Sequence, residues 1–73
     1  MKRKEPKFYF VLEDPGWISL EAYSLEEAKK IVKRVEGRFK VITIYFNDWS
    51  AHYIPLTVIE FWQKLKVFER FLK

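Results

Sequence analysis

The densest chemistry in this chain is a run of cations. Lys29, Lys30, Lys33, Arg34, Arg38 and Lys40 fall within a stretch that holds one acid, Glu36. The spacing of Lys29, Lys30, Lys33 and Arg34 shows them on one side of a helix. Cations gathered along a helix are the electrostatic footprint of phosphate-backbone binding, a mode that is salt-dependent and weakly sequence-specific. A solvated helix face carries the same pattern. Glu26 and Lys30 stand at i,i+4 as partners, and Lys29 and Lys33 repel each other at the same spacing. The basic N-terminal residues Lys2, Arg3 and Lys4 would assist any contact with nucleic acid.

Aromatic residues form the second pattern. Tyr9, Trp17, Tyr23, Phe39 and Tyr45 occupy alternating strand positions that one sheet face would gather. Left open, that face would be a stacking platform of the kind RNA-recognition modules use. The segment Gly37-Arg38-Phe39-Lys40-Val41 does not carry their glycine, aromatic, small, aromatic signature. The face is instead expected to be covered, either by the last helix in a three-layer sandwich or by a partner.

Catalytic patterns are sparse. Asp48, Ser50 and His52 would point the same way along an extended segment. A working triad draws its members from separate elements so that they converge, so this trio reads as a polar turn. One His without Cys gives no zinc ligand set, and two glycines give no phosphate cradle. We expect no enzyme, no catalytic residue, no metal or cofactor, and no small-molecule ligand is evident.

A contact surface is the rival reading. Ile59, Val67 and Phe71 lie off the main apolar face of the last helix, and Trp49 sits in a turn. Together they are the candidate interface for a protein partner or for a two-fold homodimer. Trp49 and Tyr53 equally suit rings folded back over the core edge. Trp62, Phe68 and Phe71 interleave with Lys64, Lys66, Arg70 and Lys73, as in an interfacial helix. So short a chain needs that helix for its core, and no membrane role is expected.

These residues need a scaffold, and the composition bounds it. The chain has 73 residues, is 49% hydrophobic and 19% aromatic, carries a net charge of +4 and has no Cys. It is too short for two ordinary domains, too apolar for disorder, and without disulfides. Asn47 and Gln63 are its only amide side chains, a hyperthermophile-like composition. The apolar run at residues 8–12 is shorter than a signal-peptide core, and no stretch approaches the ~20 residues of a membrane span. A cytoplasmic location is expected.

Periodicity supplies the elements. Residues 1–6 read as a basic tail and 7–73 as one α+β domain. Alternation over 7–13 and 17–23, around Asp14-Pro15-Gly16, predicts a β-hairpin. Ser24-x-x-Glu27 caps a helix whose apolar stripe is Leu25, Ala28, Ile31, Val32 and Val35 and whose stop is Gly37. Residues 39–46 predict a central strand, apolar on both faces, and 51–54 a short fourth strand ended by Pro55. Thr57-x-x-Glu60, with Leu56 and Phe61 as a staple, starts a helix over 58–72 that faces the core with Val58, Phe61, Leu65, Phe68 and Leu72. The expected order is ββαβ(β)α, a sheet of three or four strands with two helices. Its first five elements resemble, in order alone, the ββαββ layout of small immunoglobulin-binding domains and the β-grasp. Element order implies no function.

Overall fold

The structure is a computed structural model and describes residues 5–48 and 52–72. The elements are β1 (Phe8–Glu13), β2 (Trp17–Ala22), α1 (Leu25–Val35), β3 (Val41–Asn47), β4 (Tyr53–Leu56), α2 (Val58–Gln63) and α3 (Leu65–Phe71). They form an α+β domain with a four-stranded sheet in the order β2-β1-β3-β4, every pair antiparallel.

Local chemistry explains most boundaries. The β1–β2 hairpin closes where Asp14 and Gly16 adopt positive φ, 58° and 66°, and the Asp14 N–H donates to the Gly16 carbonyl. Asp and Gly tolerate that region where most side chains do not. The Ser24 hydroxyl accepts from the Glu27 N–H at 3.2 Å, while the Glu27 carboxylate reaches past the cap to the Tyr23 N–H at 2.6 Å. Helix α1 stops at Gly37, whose φ of 82° suits the left-handed C′ position. At the start of α2 the reciprocal box is complete: Thr57 and Glu60 each accept the other's backbone N–H, at 3.1 and 2.9 Å.

Strand register then builds one apolar face in rows. Phe8 lies between Ala22 and Phe46; Phe10 lies between Leu20 and Ile44, which is followed by Leu56; Leu12 lies between Ile18 and Ile42. All three helices pack on this face. α1 covers it near β2 with Leu25, Ala28, Val32 and Val35, and α2 packs on β3 and β4. Phe8 is the junction, with ring centroids 5.5 Å from Phe46, 5.6 Å from Phe61 and 5.3 Å from Phe68.

Four expectations need correction. The last helix is two helices, broken at Lys64, whose N–H is shared between the Glu60 and Phe61 carbonyls. The rings of Phe61 and Phe68, one on each side of Lys64, are 5.8 Å apart and both close on Phe8. Pro55 does not end β4 but sits within it, opposite Tyr45. An edge strand tolerates a residue without an N–H on its open side. Phe39 precedes β3 and packs against the core cluster instead of joining the other sheet face. Neither α2 nor α3 covers that other face, so there are two layers and no three-layer sandwich.

The Phe8 junction should dominate stability. A domain of this length is stable by roughly 4–11 kcal/mol, and emptying a fully buried Phe site costs about 3–5 kcal/mol. Phe8→Ala is therefore expected to remove about half of the stability in a urea titration. Thr57→Ala, losing one cap bond, should cost about 1 kcal/mol in the same measurement.

Candidate functional site

Helix α1 places the predicted cations as its periodicity requires. One stripe is sealed against the sheet, which turns Lys30, Lys33 and Arg34 outward into solvent. Lys29 stands at the margin, half-buried, with its Nζ 3.0 Å from the Glu26 carboxylate. Arg38 and Lys40 continue the exposed basic surface beyond Gly37, and the Lys40 N–H donates to the Asp14 carbonyl at 2.8 Å, tying this segment to the hairpin turn. Among the described residues, Lys29–Glu26 is the one carboxylate pair made by the six cations. Lys33 and Arg34 also lie in the last turn, where they offset the helix dipole.

The opposite side of the molecule is aromatic. Odd-numbered strand residues point away from the helices: Trp17, Ser19 and Glu21 on β2; Tyr9, Val11 and Glu13 on β1; Val41, Thr43 and Tyr45 on β3; Tyr53 and Pro55 on β4. Trp17 is 64% exposed and Tyr53 38%. Tyr9 and Tyr53 meet edge to face at 6.3 Å. Tyr53 was not expected here. Its place follows from the register of β4, which local sequence does not encode, although Tyr53 and Pro55 share an alternation phase that points to a common face. Of the residues expected on this face, Tyr9, Trp17 and Tyr45 are on it, while Tyr23 follows the end of β2 with its hydroxyl donating to the Glu21 carboxylate at 2.8 Å. The charged strand residues on it are Glu13 and Glu21. The cations of α1 and the rings of the sheet therefore lie on opposite sides of the sheet. One nucleic-acid strand cannot lie on both without wrapping an edge.

The expected interface residues are dispersed. Ile59 is 69% exposed on α2, and Val67 and Phe71 are exposed one turn apart on α3. Trp49 lies outside the described residues. Val67 borders an apolar cleft of 190 Å³ with Phe46, Ile54, Leu56, Lys64 and Phe68. That is below the ~300 Å³ at which ligand pockets begin, and it reads as the gap between the β4 edge and α3. Phe68 is buried and Trp62 is packed on Phe61 at 5.2 Å, so these rings of the amphipathic pattern belong to the core.

Of the polar trio, Ser50 lies outside the described residues. Asp48 and His52 form a loop clamp. The Asp48 N–H donates to the His52 carbonyl at 3.1 Å, and the Asp48 carboxylate accepts the His52 N–H at 3.3 Å and stands 4.0 Å from its Nδ1. The imidazole is open to water. Among the described residues no three His, Asp or Glu side chains gather as a metal site, and no helix is long and apolar enough to cross a membrane.

The described residues define a small α+β domain with one basic helical surface and one aromatic sheet face that none of its helices covers. Comparison with protein-family models, curated proteins and solved structures gives no match.

The sidedness has a direct optical consequence. In a Trp49→Phe/Trp62→Phe variant at micromolar concentration, acrylamide should quench Trp17 nearly as well as free indole. Strong protection of Trp17 at that concentration would mean that the outer sheet face is covered.

Proposed function

We propose that this chain is a small basic binding module that grips nucleic-acid backbone phosphates through the outer face of α1 and the segment after it. One observation carries the reading. Lys30, Lys33, Arg34, Arg38 and Lys40 are exposed along one continuous stretch, with no carboxylate partner among the described residues. Such cations release condensed counterions from a nucleic acid when they reach its phosphates.

The geometry favours backbone contact over base recognition. The side chains of α1 that reach outward are charged, and phosphate contacts position a protein without reading sequence. Stacking rings lie behind the sheet, out of reach of a strand held on α1. Binding should therefore differ little between sequences of one strand type.

Fluorescence anisotropy with labelled single- and double-stranded oligonucleotides at about 50 and 200 mM salt tests this. Three to five phosphate contacts on a duplex give a slope of about −3 to −4.5 in log K against log salt. Lys30→Glu/Arg34→Glu should abolish micromolar binding, whereas Lys66→Glu/Arg70→Glu, which changes net charge equally on α3, should weaken it far less. If the α1 double variant binds as wild type does, the reading fails.

Protein interaction is the second reading, favoured by the exposed rings of the outer sheet face.

A further inference from the structure

We propose that the basic surface of α1 takes double-helical nucleic acid, DNA or RNA, in preference to single strands. The inference rests on the phosphate-binding reading above and goes beyond it by naming the form of the ligand.

The first ground is what stands beside the cations. Between Lys29 and Lys40 the exposed side chains are Lys30, Lys33, Arg34, Glu36, Arg38 and Lys40. Phe39, the one ring in this stretch, packs against the core cluster. Tyr23 is exposed, but it precedes the N-cap at the end of α1 that carries Glu26 and Glu27, and its hydroxyl donates to the Glu21 carboxylate at 2.8 Å. Sites for single strands gain much of their affinity by stacking bases on aromatic side chains. A single strand laid along these cations finds no such ring, so only its phosphates are held.

Shape is the second ground. Single-strand sites are grooves that track one backbone. Here the cations stand on the outer, convex side of a helix whose apolar stripe is sealed against the sheet. The apolar cleft between β4 and α3 lies at the opposite edge of the sheet from β2 and α1. The segment after the helix is tied down: the Arg38 N–H donates to the Val35 carbonyl at 3.0 Å and the Lys40 N–H to the Asp14 carbonyl at 2.8 Å. A duplex brings its phosphates already ordered to this fixed backbone, whereas a single strand must give up freedom to match it.

Charge density sets the size of the preference. Without stacking, affinity follows the counterions released, about 0.9 per phosphate contact on a duplex and about 0.7 on a single strand. For about four contacts this favours the duplex about tenfold at about 50 mM salt and about fourfold at about 200 mM. A preference that shrinks as salt rises is the signature of this mechanism.

Fluorescence anisotropy tests it with short mixed-sequence DNA and RNA duplexes and their separated strands at those two salt concentrations, with affinities expressed per binding site. Each duplex should bind more tightly than its own strands, by the ratios above, and Lys30→Glu/Arg34→Glu should remove duplex binding. A preference confined to DNA or to RNA supports the inference and identifies the source. Trp17→Ser, which removes the most exposed ring of the outer sheet face, should leave duplex affinity unchanged; a loss there puts the duplex on the sheet and overturns the inference. Single strands bound as tightly as duplexes, or more tightly, with binding still lost in the α1 double variant, overturn this inference alone. No binding of any probe at the lower salt, or binding that survives the α1 double variant, overturns the phosphate-binding reading and this inference with it.

Discussion

The constraint on which the rest of this molecule depends is that every helix closes on the same face of the sheet. Phe8 enforces it. Its ring touches Phe46 from the neighbouring strand and Phe61 and Phe68 from the two C-terminal helices. A chain this short has few large side chains to build a core with, and its largest fully buried rings, Phe8, Phe10 and Phe61, are all committed to this one layer. Two faces of the sheet cannot both be sealed from such a supply. The bare outer face and the outward cations of α1 are the two consequences of that single decision.

Much of this was legible in the sequence, because strands and helices sort side chains by period. Alternation in β1 separates Phe8, Phe10 and Leu12 from Tyr9 and Val11, and the structure divides them the same way. The stripe of α1 fixes which of its residues are buried, and so fixes that Lys30, Lys33 and Arg34 are not. The illegible parts are those settled by distant contacts. The C-terminal segment is apolar on more than one side, which suggested cover on more than one side. Instead only one side is covered: Phe61 and Phe68 meet on Phe8, and Ile59, Val67 and Phe71 stay exposed. Pro55 reads as a terminator until β4 is known to be an edge strand, where its missing N–H is harmless. Tyr53 joins the aromatic face only through the register of that same strand.

The candidate surfaces were legible in content but not in relation. Sequence names the six cations and most of the rings; it does not say that a sheet lies between them. That separation matters physically. A protein that stacks bases needs cations along the same groove to hold the backbone. Here the outer face offers the rings with Glu13 and Glu21, whose charges repel phosphate, while the outward face of α1 offers cations without rings. The stacking-platform reading is weakened by this electrostatic mismatch even though the platform is uncovered.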